Sequence, residues 1–249
     1  MGRLNLKVIG HGGAFDYNMP NSSFLVETAY GKWLVDCGYN IFSTLKKMET
    51  NKEIDISTIR NIFITHMDDD HIGSLKTLLY YRYFILNEFT NIYCSPEIQA
   101  ELNYYLKDIN KESANGEFIS AKICNVIPIT TLKNTMFDFI VKTTTAIHHT
   151  PTSGVMFIDN KYKTAIWISG DTIASKDIMS EVVNTLKEYS IKEVILLHDF
   201  SYWDEPKLNV HACNTNINCE YNKEFKNMLI YYHNKEKVHV SYTNIPMEV

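Results

Sequence analysis

Positive charge is in short supply in this chain of 249 residues: 24 lysines and arginines stand against 29 aspartates and glutamates, for a formal net charge of −5. A protein that tracks a long nucleic acid normally carries a basic face to neutralise phosphates, so no long nucleic acid is expected as partner. One small anionic ligand is still compatible with this charge, because bound metal ions would dominate the field around it. No apolar run approaches the ~18 residues of a membrane span, and the stretch from Met1 to Lys7 lacks the apolar segment of a secretory leader. The five cysteines form no C-x-x-C pair and are odd in number, which suits a reduced, cytoplasmic protein better than a disulfide scaffold. There is no internal repeat, low-complexity tract or linker, so residues 1–249 are read as one domain, with 45% hydrophobic residues to fill its core.

Period-two apolar patterns mark strands at Leu4–Ile9, Ser22–Glu27, Lys32–Asp36, Asn61–Thr65, Asn91–Cys94, Phe118–Ile129, Met136–Thr144, Val155–Ile158, Thr164–Ile168, Val194–Leu197 and Val238–Tyr242. Helical patterns fall at Ile41–Met48, Gly73–Leu86, Pro96–Leu106, Asp177–Tyr189 and Glu220–Tyr232. Strands lead in each half and helices follow. The expected fold is therefore α/β, a four-layer αββα sandwich of two mixed β-sheets flanked by helices.

The stretch that organises the chain is Thr65-His66-Met67-Asp68-Asp69-Asp70-His71-Ile72-Gly73. It joins a buried strand to an apolar helix start and gathers the candidate ligands His66, Asp68, Asp70 and His71 on one loop. Imidazole and carboxylate suit a hard-to-borderline divalent metal. Three aspartates alone would read as a favourable helix N-terminus; the flanking core strand and the two histidines favour metal binding. Asp70 and His71 are adjacent and must point apart, which fits two ions better than one.

His66-x-Asp68-x-Asp70-His71-x-Gly73 resembles the first metal motif of the metallo-β-lactamase superfamily, usually written His-x-His-x-Asp-His. The chain departs from it at Asp68, where a hard oxygen replaces a nitrogen. Two divalent ions are implied, zinc or, given Asp68, manganese or iron. The Gly10–Phe15 turn resembles the glycine turn beneath the family's metal site, and Asp36-Cys37-Gly38 its Asp-x-Gly strand end, with Asp36 expected to fix a loop. His148-x-x-Pro151-x-x-Gly154 resembles the third motif of the ribonuclease Z-like branch, which favours His148 as ligand. His149 is the other candidate there, since His-Thr-Pro resembles the lactonase and glyoxalase branches; where it is not a ligand it is a substrate contact. Ser169-Gly170-Asp171-Thr172 resembles the motif of the bridging aspartate, which makes Asp171 the carboxylate shared by both ions. In that branch a strand-ending His-acid pair supplies a proton donor and the next loop histidine the last ligand. The resemblance carries these roles onto His198 and His211.

The implied activity is that of a binuclear-metal hydrolase. Two ions held there would supply an activated water at neutral pH, Asp70 would orient it, and His198 would protonate the leaving alkoxide. The most favoured substrate is a small phosphodiester such as a cyclic nucleotide: the chain is similar to the anti-Pycsar cyclic-nucleotide phosphodiesterases, including the Gly73–Phe84 helix with its Tyr-Arg-Tyr-Phe end. Processing of tRNA 3′ ends is disfavoured by the absence of a long basic glycine- and proline-rich arm. A lactonase, thioesterase or β-lactamase of the same fold is the alternative, as is a non-catalytic binding module, for which Asp68 is the only observation. Trp203, in the stretch between His198 and His211, is expected to line the pocket. The aromatic side chains of the Gly73–Leu86 helix permit a homodimer.

Overall fold

Six strands whose apolar residues alternate make the first sheet: Asn5–Gly10 (β1), Ser23–Thr28 (β2), Gly31–Val35 (β3), Ile59–Ile64 (β4), Thr90–Cys94 (β5) and Cys124–Pro128 (β6), hydrogen-bonded in that order. In this computed structural model the described residues are 4–16, 18–109, 123–201, 210–233, 240–241 and 243–244. The β1–β2 and β2–β3 pairs are antiparallel, and from β3 to β6 the pairs are parallel. A parallel pair needs a crossover. Helix Ile41–Thr50 (α1) lies between β3 and β4, and Asp69–Ile72 (α2) and Leu75–Tyr80 (α3) between β4 and β5. Gln99–Tyr105 (α4) follows β5.

The second sheet uses the later chain: Thr131–Asn134 (β7), Phe139–Thr145 (β8), Ser153–Asp159 (β9), Thr164–Ile168 (β10), Glu193–Asp199 (β11) and Leu229–Tyr232 (β12), in the order β12-β11-β10-β9-β8-β7. Strand Thr243–Asn244 (β13) pairs antiparallel with the start of β11. Helix Lys176–Glu188 (α5) connects β10 to its parallel neighbour β11, and Asn214–Glu220 (α6) and Lys223–Lys226 (α7) precede β12.

The pleat sorts each strand's side chains into two layers. On β4, Ile62 and Ile64 pack with Ile41, Leu75, Leu78 and Leu102 under the first helix layer, while Phe63 joins Trp33, Tyr93 and Phe157 between the sheets. On β11, Val194 and Leu196 pack with Met179, Val182 and Leu186 of α5, while Ile195 and Leu197 face the opposite sheet. Three apolar layers between four layers of backbone make the αββα sandwich that the sequence pattern predicts. Among the described residues no helix is long and apolar enough to cross a membrane.

Strand β7 and helix α6 fall where no element is expected, residues 118–122 of the strand expected over 118–129 lie outside the described residues, and three further elements differ from expectation. The Gly73–Leu86 helix is interrupted and ends in a wide turn at Tyr81–Ile85, where Leu86 N–H reaches Tyr81 O at 3.2 Å. The buried guanidinium of Arg82 holds this turn by donating to Thr90 Oγ1 at 2.8 Å. The helix expected over Glu220–Tyr232 is instead two short helices and β12. Asn222 caps Phe225 N–H at 2.9 Å, and Leu229–Tyr232 then pairs in parallel with β11. A run of four apolar residues carries no period that separates strand from helix; the vacant edge of β11 decides. Of the strand expected over 238–242, residues 240 and 241 lie outside any strand and the others lie outside the described residues; the pairing occurs two residues later, in β13.

The site is formed where strand ends from both sheets meet. Strands β3, β4, β10, β11 and β12 all deliver their C-terminal ends to one edge, the place where open α/β sheets expose ligand-binding loops. There Ser153 N–H, at the start of β9, donates to Thr65 O at 3.1 Å and ties the two sheets together.

Candidate metal centre

Asp36 fixes the first loop. It follows the last residue of β3 with φ +60°, and its buried carboxylate accepts from Thr65 N–H at 2.9 Å, Thr65 Oγ1 at 2.8 Å and His71 Nδ1 at 2.8 Å. Gly38 is required beside it, because a Cβ there would lie 1.8 Å from Asp70 O. Thr65 Oγ1 gives its proton to Asp36, so toward His66 Nδ1, at 2.9 Å, it can only accept. His148 Nδ1 donates to Val210 O at 2.9 Å. His66, His71 and His148 are thus each anchored through Nδ1–H and offer the Nε2 lone pair, the arrangement of metal-binding histidines.

Those lone pairs converge with the carboxylates. His66 Nε2 lies 3.8 Å from Asp171 Oδ2 and 3.7 Å from Asp68 Oδ2. His148 Nε2 lies 3.4 Å from Asp68 Oδ2, and His149 Nε2, on a half-exposed side chain, 3.5 Å from the same oxygen. On the other side His71 Nε2 is 3.3 Å from Asp171 Oδ1 and 3.5 Å from Asp70 Oδ2. Most of these gaps are long for a hydrogen bond. They match ligand atoms around one tetrahedral ion, which at about 2.1 Å from the metal stand roughly 3.4 Å apart.

A residue absent from the sequence reading completes this second group. His233, one residue past β12, places Nε2 3.2 Å from Asp70 Oδ2 and Nδ1 3.7 Å from Asp171 Oδ2. Asp70, His71, Asp171 and His233 form one candidate ligand set, with all offered atoms within 4.8 Å of one another. Asp171, Asp199, His211 and His233 form a second, which keeps the expected ligand His211 among the candidates, His66, His148 and Asp171 a third, and Asp68, His148 and His149 a fourth that overlaps the third. Asp171 is common to the first three and reaches in from a loop that Gly170 turns at φ +65°. The signal for His233 was present: Leu229-Ile230-Tyr231-Tyr232-His233 is an apolar strand leading to a histidine, as Ile62-Phe63-Ile64-Thr65-His66 is. Reading it as a helix hid it.

The end of β11 reverses the expectation for its His-Asp pair. Leu196 faces the helices and Leu197 the other sheet, so the pleat turns His198 toward the helices and Asp199 toward the centre. His198 is fully buried, donates from Nδ1 to Asp199 O at 2.7 Å, accepts at Nε2 from the Tyr221 hydroxyl at 3.1 Å and packs against Trp167 at 5.7 Å. It does not face the ligand cluster, and burial lowers its pKa, which favours the neutral ring. Asp199, buried, accepts from Thr172 N–H at 2.9 Å and His211 Nδ1 at 2.8 Å, with His233 Nδ1 at 3.2 Å. His211 Nδ1 stands 3.6 Å from Asp171 Oδ2, and its side chain remains 24% exposed. The structure therefore brings His66, Asp68, Asp70, His71, His148, His149, Asp171 and His211 to one locus and leaves His198 on the far face of its strand. Trp203 lies outside the described residues.

Charge within the cluster is balanced by its own histidines. Burial pushes the Asp171 carboxyl up, but His233 and His71 beside it hold it well below the usual range. Asp70 is likewise held low, against burial, by His233 and His71. In return Asp171 lifts His71 and His233 well above the ordinary imidazole value despite their burial. His66, buried and facing His71, is pushed down to about 3. Carboxylates so arranged call for positive charge. His66 Nε2, His71 Nε2 and Asp171 Oδ1 are buried there without a hydrogen-bond partner. Buried ring nitrogens and a carboxylate oxygen grouped in this way fit divalent cations, which would displace the proton of His71.

Solved structures with this layering define the class. The chain resembles the metallo-β-lactamase fold protein YhfI from Bacillus subtilis, with a TM-score of 0.68 and 16% identity over 92% of this chain and 86% of that one. It resembles the short form of human tRNase Z with a TM-score of 0.64 and 18% identity, covering 97% of this chain and 99% of that one. Yeast PDE1 aligns with a TM-score of 0.65 and 15% identity over 95% of this chain and 89% of that one. At these identities the likeness is one of fold, and the fold is that of the metallo-β-lactamases. Within that class the model of the anti-Pycsar protein Apyc1 family matches residues 4–244, and the chain belongs to that family. The Apyc1 proteins of Bacillus phage 010DV004 and Bacillus phage BSP38 are 33% identical over 84 residues and 34% identical over 82 residues. These alignments span 33% and 32% of this chain and 31% and 30% of the relatives, so the chain spans about a third of the length of the curated relatives it matches.

Proposed function

We propose that the chain is a metal-dependent phosphodiesterase that hydrolyses a small phosphodiester such as a cyclic nucleotide. The observation that carries this reading is the convergence of buried, unpartnered His66 Nε2, His71 Nε2 and Asp171 Oδ1 on one locus. Membership of the anti-Pycsar family supports the substrate class.

In this proposal His66, Asp68, His148 and Asp171 hold one divalent ion, Asp70, His71, His233 and Asp171 the other. When bound, the two ions supply an activated water at neutral pH and neutralise charge on the non-bridging phosphate oxygens. Asp70, beyond ligating, orients the attacking water. His211 replaces His198 as proton donor. Asp199 holds its Nδ1–H and, against burial, raises its pKa, so the partly exposed ring is kept charged and positioned to protonate a leaving alkoxide. His149, half exposed beside Asp68, contacts substrate. Both ligand sets then contain two imidazoles and two carboxylates, a harder set than a three-histidine site, which favours manganese or iron over zinc. The exposed Tyr80, Phe84 and Ile85 favour a homodimer, and the reduced cysteines a cytoplasmic setting.

The test is a chelator-stripped preparation resupplied with manganese, iron or zinc and offered bis-p-nitrophenyl phosphate, cyclic nucleotides, lactones and thioesters. Metal-dependent release from the phosphodiesters is expected. Turnover of lactones or thioesters alone would transfer the chain to the alternative class, and a protein that neither binds nor needs metal would sink the proposal.

A further inference from the structure

The loop after β1 is pinned at its base. Gly12 N–H donates to Pro20 O at 2.8 Å, Ser22 N–H donates to Gly12 O at 2.9 Å, and the Asn21 side-chain amide donates to Gly13 O at 3.2 Å. Asp16 N–H donates to that same Gly13 oxygen at 3.2 Å, which closes a turn with Ala14 and Phe15 at its corners. The turn is seated against the metal centre, because a Cβ built on Gly13 would lie 3.3 Å from the His233 ring. Two residues on, Phe15 is 99% exposed. A bare phenylalanine forgoes the burial that folding normally gives it, and this one does so on the hydrogen-bonded turn that begins at Gly13, beside His233. The same metal loop carries Asp69, which accepts from the half-exposed Tyr39 hydroxyl at 2.9 Å, so another aromatic ring flanks it.

The geometry points to Phe15 as the surface on which the substrate's base stacks, a specificity-determining residue that acts on the base while the centre acts on the phosphate. The inference rests on the phosphodiesterase reading above. A nucleotide holds its base one sugar ring away from its phosphate, so a ring at the rim, rather than among the ligands, is where a base meets the protein. Every base has a π-face, so stacking is tolerant of base identity, and the larger purines gain more from it. Phe15 touches no buried group that its removal would expose, and a substitution there leaves the core intact.

The experiment compares wild type, Phe15→Ala and Phe15→Trp on a purine 3′,5′-cyclic nucleotide, a pyrimidine 3′,5′-cyclic nucleotide and ribose 3′,5′-cyclic phosphate without a base, with metal content and melting temperature measured alongside. Phe15→Ala should raise KM for the purine substrate about tenfold with kcat little changed, and less for the pyrimidine. Phe15→Trp should restore it, and the baseless ester should show no comparable loss. An unchanged KM for both nucleotides overturns the inference, and so does an equal loss on the baseless ester. A wild-type protein that hydrolyses none of the three removes the phosphodiesterase reading itself, a result separable from any effect of Phe15.

Discussion

Two strands of this protein, β4 and β11, carry an apolar run to the same edge of the molecule and follow it with a histidine, yet only one of those histidines faces the site. His66 lies two residues beyond the end of β4, in a loop whose direction is set by Asp36 through Thr65. His198 is still inside β11, where the pleat sets its direction and turns it toward Trp167 and Tyr221. A side chain past the strand end is aimed by the loop's own hydrogen bonds. A side chain within the strand is aimed by parity alone. The difference divides this edge into a proposed reacting face, with Asp70, His71, Asp171, Asp199, His211 and His233, and a supporting face to which His198 belongs.

The strongest way to break the division is to remove the carboxylate on which the reacting face converges. Asp171→Ala should abolish activity and lower metal content at both proposed ion positions, since Asp171 belongs to three of the four candidate ligand sets. Metal analysis by mass spectrometry reads this directly. Retention of two ions per chain would show that the sets do not share it. Next in size is His211→Ala, expected to lower kcat by about 10²- to 10⁴-fold while metal content holds, the loss typical of a general acid. Loss of an ion in this variant would return His211 to the ligand role that the sequence suggested and leave His233 as its support.

Much of this was legible in the sequence. The four-layer fold follows from alternation in the strands and from the order of strands and helices. The loop from His66 to His71 declared itself because its candidate ligands fall within six residues and its flanks are apolar. What stayed hidden was whatever depended on long-range pairing. Leu229–Tyr232 becomes a strand only because β11 offers it an edge, and His233 reaches the cluster only as a consequence. The exchange between His198 and Asp199 is a matter of strand phase: one residue of register moves a side chain to the other face. The order of motifs along the chain does not carry that phase, although the register of Leu196 and Leu197 does once β11 is known to be a strand.

A smaller effect separates the charge of the reacting face from its ligands. In metal-free protein His71 and His233 are lifted well above the ordinary imidazole value by Asp171 and its neighbours, despite burial. A group raised in the folded state contributes stability that is complete below its unfolded pKa, about 6.5, and is lost as pH rises through the folded value. Asp70 and Asp171, held low by the same histidines, contribute above about 4 and lose that contribution only in stronger acid. Chelated protein should therefore melt progressively lower as pH rises above 6.5. Metal binding displaces those imidazole protons, so the stabilisation by added manganese or zinc should grow from pH 6 to pH 8. Scanning calorimetry with and without chelator checks the sign. A metal-induced shift that shrinks with pH would mean that these histidines are not displaced.

The smallest effect tests the supporting face. His198→Ala removes the acceptor of the Tyr221 hydroxyl and the donor to Asp199 O, in a fully buried position. Leaving buried polar partners unmade costs about 1–3 kcal/mol, so the melting temperature should fall by several degrees. Metal content and kcat should stay near wild type, because Asp199 reaches the centre through its own side chain and keeps its bonds to Thr172 and His211. A variant that stays folded, keeps its metal and yet loses turnover on the scale expected for His211→Ala would mean that His198 acts on the reaction. The two faces of β11 would then have exchanged roles, a result that no loss of packing beneath Trp167 could imitate.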